Sequence, residues 1–374
     1  MNNRLFAKIY GCEAAGTIGN SMGDVTEGLL WHEIEEKYGF VTELLPQEKK
    51  GSVVSGNDDK TTEGQPLGPK LIYHPHTRPP GMTEDGMERH RLCTSAILRK
   101  GGRIDIVDLA RTWISDIDPE KFGYLLGPQD QVIYYSLKAG VPPWEVGRYA
   151  AWPGMIGTSK MIMPIGMVNA CNPEQAAQDA LALGAIKDVR GVPGNYAIEV
   201  CSAIAAATAE ALKPTASVDS IIDAALGYLS GPPRQEVEMG LQWAKQVDDW
   251  KELRPIYDRY YAGKRMSNAV EILSGGLACF YVSEGRPKEA LLYAVNLGRD
   301  TDCKAYIAGG LAGALRGIEA IPADWVKTVE EAAANDPYTV SRRTAKEAAE
   351  GLYAAALNTH QKLKDVIGSI DQQL

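Results

Sequence analysis

Apolar residues recur at intervals of three and four along most of the second half of the chain. This spacing collects them on one face of an α-helix, and it predicts helices over seven segments: 174–187, 197–213, 217–229, 236–247, 268–282, 287–297 and 304–317. Stretches in which apolar and polar residues alternate, as in a strand with one buried face, are too short to build a sheet. The pattern therefore predicts an all-α protein.

Two stretches depart from this pattern. Residues 44–82 are rich in Gly, Pro, Asp and Lys and have no helical period. A loop of this length in a compact domain is usually functional or disordered, so a lid over a pocket and a solvated excursion are both open. The spacing of apolar residues over 340–373 predicts one or two amphipathic helices. We expect a single helical domain over 1–335, with 44–82 as a loop insertion, and a helical extension over 336–374 that packs on the domain or forms an interface.

Composition narrows the class of protein. The 374 residues are 45% hydrophobic and 23% charged, as in ordinary soluble globular proteins, and the net charge of −9 argues against nucleic acid as a partner. No apolar run approaches the roughly 20 residues of a membrane span. The six cysteines are scattered, and the first residues lack the pattern of a signal peptide. We expect a cytoplasmic protein that binds neither nucleic acid nor membrane, and a homo-oligomer is left open.

Two clusters of acids precede predicted helices. The first contains Thr83, Glu84 and Asp85, and the second places Asp300 and Asp302 on either side of a threonine. An acid in this position can simply cap a helix, but capping needs only one. Neighbouring buried carboxylates repel each other unless a cation lies between them. Oxygen ligands suit Mg²⁺ or Mn²⁺, whereas the five histidines show no zinc-binding spacing.

Four segments in consecutive order resemble the motifs of the ADP-ribosylglycohydrolase family. They are IGNSMGDVTEG (18–28), MTEDGMER (82–89), GTSKMIMPIG (157–166) and NLGRDTDCKAYIAGGLAGALRGIEAIPADW (296–325). Together they span roughly residues 8–330, and four matches in order are far more specific than any one of them. The resemblance implies an orthogonal multi-helix bundle that holds two divalent cations, Mg²⁺ or Mn²⁺, and hydrolyses a bond between ADP-ribose and an acceptor.

The resemblance also assigns roles to individual residues. It implies these metal ligands: Thr83, Glu84 and Asp85 for one ion, Asp300 for the other, Asp302 shared between them, and Cys303 where the family usually has Thr or Ser. Glu27 or Asp85 is expected to handle the proton. The expected substrate-binding residues are Asn20, Gly157, Thr158, Ser159 and Lys304, with residues 157–159 beside the diphosphate.

Departures from the family motifs leave the substrate open. Glu84 replaces an aspartate, Cys303 replaces a hydroxyl residue and Asn20 replaces an aspartate. The leading hypothesis is a metal-dependent hydrolase of a ribosyl N- or O-glycosidic bond, which releases ADP-ribose from an ADP-ribosylated protein or small molecule. A second hypothesis keeps the fold and the two metals but changes the substrate to another small glycoside or nucleoside-like compound. A third is a non-catalytic protein, similar to a crystallin or a binding module.

Overall fold

The computed structural model describes residues 3–47, 78–122, 125–150 and 152–374, with the backbone alone at Thr158 and Ser159. Within these residues the chain is all-α, as the sequence predicts, and contains no strand longer than an isolated bridge. The helices are α1 (Arg4–Asp24), α2 (Trp31–Tyr38), α3 (Asp85–Lys100), α4 (Ile106–Asp116), α5 (Pro128–Lys138), α6 (Gly157–Lys160), α7 (Met163–Val168), α8 (Pro173–Leu183), α9 (Ala197–Ala211), α10 (Val218–Leu226), α11 (Gly231–Gln246), α12 (Leu253–Tyr261), α13 (Ala269–Val282), α14 (Pro287–Val295), α15 (Thr301–Arg316), α16 (Ala323–Asn335) and α17 (Ala345–Asp371).

All seven segments with helical periodicity are helical, and the differences are confined to their ends. The segment predicted over 236–247 begins earlier, at Gly231, because Pro232 and Pro233 fall in the first turn, where a helix does not need their missing N–H groups. The segment predicted over 174–187 ends as an α-helix at Leu183 and continues as a short 3₁₀ turn.

The centre of the bundle consists of α1, α9, α13 and α15, which are buried on nearly all sides. Their sequences are rich in Ala and Gly, and small side chains let helix backbones approach closely. Helices that are apolar all round belong in the interior, whereas α4, α10 and α12 bury one face only. The most extensive contact between two helices in the described structure joins α1 and α15.

The close packing of α1 on α15 fixes the start of α15. A Cβ on Gly23 would overlap the backbone of Asp302, so a larger residue there would force the two helices apart. Thr301 Oγ1 donates a hydrogen bond to Gly23 O at 2.9 Å and accepts one from Thr26 Oγ1 at 2.9 Å. The second acidic cluster is therefore held against the end of the most buried helix pair.

The C-terminal extension forms one helix, α17, whose first half packs on α1, α3 and α7. The second half projects from the bundle, and Leu363, Val366, Ile367 and Ile370 are exposed there. Residues 48–77 of the predicted loop insertion lie outside the described residues, so its role as a lid stays a prediction. At its ends Gln47 and Arg78 exchange two backbone hydrogen bonds of 2.9 Å. No helix in the described part of the chain is long and apolar enough to cross a bilayer.

Candidate active site

The two acidic clusters meet at a buried lysine that the sequence analysis did not single out. Lys160, the last residue of α6, donates from Nζ to Glu84 Oε1 and to Asp302 Oδ2. Glu84 caps the N-terminus of α3, and Asp302 lies in the first turn of α15. Burial alone would lower the pKa of Lys160, but the carboxylates of Asp302, Glu84 and Asp85 outweigh it and hold the pKa well above its ordinary value.

Asn20 of α1 completes this bridge. Its Nδ2 donates to Glu84 Oε1 and, at 3.3 Å, to Asp302 Oδ2, while its Oδ1 accepts from the Glu84 N–H at 3.0 Å. The side chain is fully buried. Asn20 therefore positions both acids in this structure, whereas the sequence analysis expected it to bind substrate.

The acids of the first cluster have further cationic partners. Thr83 Oγ1 accepts a hydrogen bond of 3.0 Å from Arg91. Asp85 pairs with Arg89 at 2.7 Å, and Arg89 also binds Asp130 through two bonds of 2.7 and 2.8 Å. Each of the three predicted ligands in this cluster thus already accepts from a positively charged side chain.

The second cluster retains acceptor atoms without donors. Asp300 caps α15 through Oδ1, which accepts from the Cys303 N–H at 3.3 Å. Asp300 Oδ2 and Asp302 Oδ1 are buried and have no hydrogen-bond partner among the described residues. One ligand atom each from Asp300, Asp302 and Cys303 lies within 4.8 Å of the others. Buried acceptors without donors require an explanation, and a bound cation supplies one.

The electrostatics of this group agree with that explanation. Burial raises the pKa of Asp302 to about 6; Lys160 opposes this rise and Asp300 adds to it. Burial, with the charges of Asp300 and Asp302, also raises the pKa of Cys303 well above its ordinary value. Cys303 Sγ lies 3.7 Å from Asp302 Oδ2, and sulfur is a poor ligand for a hard cation.

The acids at the start of α15 therefore fit a divalent cation better than the acids at the start of α3 do. The carboxylates of Asp300 and Asp302 offer hard oxygen donors that nothing in the described structure uses. On the α3 side, Lys160 and two arginines hold the corresponding oxygens.

Of the remaining predicted site residues, Glu27 lies near the start of α15, whereas the ammonium group of Lys304 is bound by Glu271. Glu27 is partly buried in the turn after α1, between Thr26, whose Oγ1 donates to Thr301 Oγ1 at 2.9 Å, and Gly28, whose N–H donates to Arg299 O at 2.9 Å. Lys304 is fully buried and donates to Glu271 Oε1 at 3.1 Å and to Gly298 O at 3.0 Å. Its ammonium group is thus engaged away from the carboxylate cluster, although the sequence analysis expected it to reach an anionic substrate.

Residues 157–159, the segment predicted to lie beside the diphosphate, form the first three residues of α6. Gly157 faces two cations: a Cβ there would lie 3.0 Å from Lys187 Cε and 3.2 Å from Arg89 Nη1. Both cations are paired with carboxylates of the chain, Arg89 with Asp85 and Asp130 and Lys187 with Asp188. The roles expected of Thr158 and Ser159 in binding substrate stay predictions.

Lys160 is the functional residue that sequence reasoning missed, and a signal for it existed. It stands directly before the apolar run MIMPIG, in which every residue is buried. A lysine beside such a run can be buried with it, and a buried lysine needs a carboxylate partner. The partners lie more than 70 residues away in each direction, so their identity depends on the fold.

A cavity lined by described residues lies elsewhere. It has a volume of about 700 Å³ and is bordered by Val218, Asp219, Trp250, Tyr281 and Tyr293, among others. None of the predicted site residues lines it. Since it brings together no comparable cluster of buried ionised groups, the acidic clusters at Lys160 remain the better candidate for chemistry.

The fold and this arrangement of buried acids define a helical protein with a candidate cation site at the start of α15. The profile of the ADP-ribosylglycohydrolase family matches residues 1–361, and the chain belongs to that family. A solved structure titled "ADP-ribosylglycohydrolase-related protein complex" has the same fold, with a TM-score of 0.63 and 19% sequence identity over 95% of this chain and 100% of that one. None of the curated proteins matches the sequence.

Proposed function

We propose that this member of the family is a metal-dependent hydrolase that cleaves a ribosyl N- or O-glycosidic bond. The proposed substrate is an ADP-ribosylated protein or small molecule, from which the reaction releases ADP-ribose. The observation that carries the proposal is the pair of buried acceptors, Asp300 Oδ2 and Asp302 Oδ1, which have no donor among the described residues. A purely structural cluster would satisfy these atoms from within the chain.

The chemistry of glycoside cleavage suits buried carboxylates. Departure of the leaving group builds positive charge at the anomeric carbon, and fixed negative charges nearby stabilise that transition state. Asp300 and Asp302 would hold the cation, which when bound polarises its ligands and lowers the pKa of water. The rigid packing of α15 on α1 keeps these carboxylates in place before the substrate arrives.

We assign the movement of the proton to Glu27 or Asp85. Both are more exposed than Glu84, Asp300 and Asp302, so either can reach a substrate that binds at the surface of the site. Asp85 remains 18% exposed in its side chain while it pairs with Arg89. A general acid or base must come within hydrogen-bond reach of the group that it protonates or deprotonates.

The diphosphate of an ADP-ribosyl group is proposed to lie near Gly157, which Arg89 and Lys187 approach. Both cations pair with carboxylates of the chain, Arg89 with Asp85 and Asp130 and Lys187 with Asp188. A diphosphate bound there would share these cations with the acids, and the acceptor to which the ribose is linked stays open.

The proposed cation is Mg²⁺ or Mn²⁺, because the donors that remain available are carboxylate oxygens. The resemblance of the sequence motifs implies two ions. The acids at the start of α15 support one of them, and the α3 side, with its donors held by Lys160 and two arginines, gives little support for a second.

Calorimetric titration with free ADP-ribose tests the proposal, because ADP-ribose is the common product of all such substrates. We expect binding in the presence of Mn²⁺ or Mg²⁺, weaker binding after EDTA treatment, and release of ADP-ribose from an ADP-ribosylated substrate. Metal uptake without affinity for ADP-ribose would favour the hypothesis of a different glycoside. Absence of both would favour a non-catalytic protein.

A further inference from the structure

Lys160 occupies a position that the fold prepares for it. Its side chain passes directly over Gly86 in the first turn of α3. A Cβ on Gly86 would overlap Lys160 Cδ and lie 2.6 Å from Nζ. Lys160 is 1% exposed, and Met161, Ile162 and Met163 after it are equally buried. A lysine in such surroundings cannot reach water by a simple rotation, so its ammonium group is a fixed part of the site.

The ammonium group lies where a cation shared by the two acidic clusters would otherwise have to bind. It contacts one carboxylate from α3 and one from α15, Glu84 and Asp302. Asn20 donates to the same two oxygens. With both donors in place, Glu84 Oε1 and Asp302 Oδ2 accept hydrogen bonds from this side and are not available as a pair of metal ligands.

We propose that Lys160 acts as a built-in cation that replaces one of the two ions, so that this chain binds a single divalent ion, through Asp300 and Asp302. The proposal rests on the metal-binding part of the proposed function. It makes Lys160 a positioning residue, since it acts on the sugar only through the carboxylates that it holds.

Counting bound ions tests the proposal without an activity assay. We would titrate Mn²⁺ into the full-length protein and measure free Mn²⁺ by its electron paramagnetic resonance signal. The wild-type chain is expected to bind one Mn²⁺. Lys160→Ala removes the ammonium group from Glu84 and Asp302, which then keep only the neutral donor Asn20, and it opens space between them, so this variant is expected to bind two.

Lys304→Ala is the matched control. Lys304 is equally buried and also pairs with a carboxylate, that of Glu271, but Glu271 keeps its second partner, Arg299, at 2.7 Å. This variant is expected to retain the wild-type count of one. A second Mn²⁺ in Lys304→Ala as well would show that the loss of any buried lysine recruits an ion, and would overturn the assignment to Lys160.

Anomalous diffraction from wild-type crystals soaked in Mn²⁺ provides an independent measurement if Lys160→Ala does not fold. We expect one Mn²⁺ peak beside Asp300 and Asp302, with Lys160 Nζ still bound to Glu84. Two peaks would overturn the role of Lys160 and leave the proposed function standing. Absence of any peak or binding would overturn both the single-ion site and the metal dependence of the proposed function.

Discussion

The turns at residues 83–85 and 300–302 carry nearly the same side chains at the start of a helix but are satisfied in different ways. In the first, Glu84, Asp85 and Thr83 accept from Lys160, Arg89 and Arg91 respectively. In the second, Thr301 holds the backbone of α1 and two carboxylate oxygens have no donor among the described residues. The same local pattern thus gives one turn, at 83–85, whose acids are paired with cations of the chain. It gives a second turn, at 300–302, in which two carboxylate oxygens have no donor among the described residues.

The difference shows that a ligand-like sequence establishes which atoms are present but not whether they are available. Availability depends on cations that the fold places beside the acids: Lys160 comes from α6, and Arg89 and Arg91 come from later turns of α3 itself. Substitutions that remove an acid, a cation or the space for it should therefore act differently on the two turns.

Asp302 belongs to the second turn and is linked to Glu84 of the first turn through Lys160. We therefore expect Asp302→Asn to have the largest effect. The change removes the one carboxylate that the ion and Lys160 share. We expect kcat/KM for release of ADP-ribose to fall by at least about 100-fold, as for loss of a key electrostatic group. Breaking a buried ion pair should also lower the free energy of unfolding by about 3 kcal/mol, measured by urea denaturation.

Asp116→Asn is the control for this substitution, because Asp116 pairs with Arg99 at the surface. The loss of such a pair changes stability by about 1 kcal/mol or less. Full activity in Asp302→Asn would contradict the placement of the active site.

The comparison between the turns becomes sharpest when one acid is neutralised in each. Asp300→Asn should weaken Mn²⁺ binding by about 10- to 100-fold, because Asp300 offers an oxygen that no donor uses. Glu84→Gln should change the same affinity by less than about threefold, which is under 1 kcal/mol. Both dissociation constants come from the Mn²⁺ titration. Equal losses in the two variants would mean that the turns contribute alike to ion binding.

Gly86→Ala removes the space that Lys160 needs and leaves every acid in place. Since the new Cβ would overlap Lys160 Cδ, we expect a loss of about 1–3 kcal/mol in the free energy of unfolding, as for other overpacked sites. Thermal denaturation measures it. Gly368→Ala on α17 is the control, because a Cβ there has no neighbour within 4 Å, and it should gain up to about 1 kcal/mol from helix propensity. Equal shifts in the two variants would mean that Lys160 does not depend on Gly86.

Much of this architecture could be predicted from the sequence. Each of the seven helices was visible in the spacing of apolar residues, because burial of one helix face is a local property of the chain. The start of α15 was also predicted, since Asp300 and Asp302 stand directly before an apolar segment. The partners of these acids could not be predicted, because Lys160 and Asn20 reach them only through the packing of α1, α6 and α15.

The direction in which Lys304 points could not be predicted from the sequence either. Its position next to the acidic motif suggested contact with an anionic substrate. Along a helix, however, neighbouring residues point in different directions, and Lys304 faces Glu271 on α13. Adjacency in sequence therefore gave the residue a role that its direction on the helix does not support.

The threonines of the two turns give the smallest expected effects. Thr83→Val removes one acceptor from Arg91, which keeps its bonds to Glu88 and Thr339, so we expect a loss of about 0.5–1 kcal/mol in stability. Thr301→Val removes one of the donors to Gly23 O, which still accepts from the Thr26 N–H at 3.0 Å, so we expect a loss of about 0.5–1.5 kcal/mol. Urea denaturation of both variants, with Mn²⁺ titration alongside, measures the difference. Since Arg91 already engages Thr83 Oγ1, Thr83→Val should leave Mn²⁺ affinity within about threefold, and a larger loss would restore Thr83 as a metal ligand.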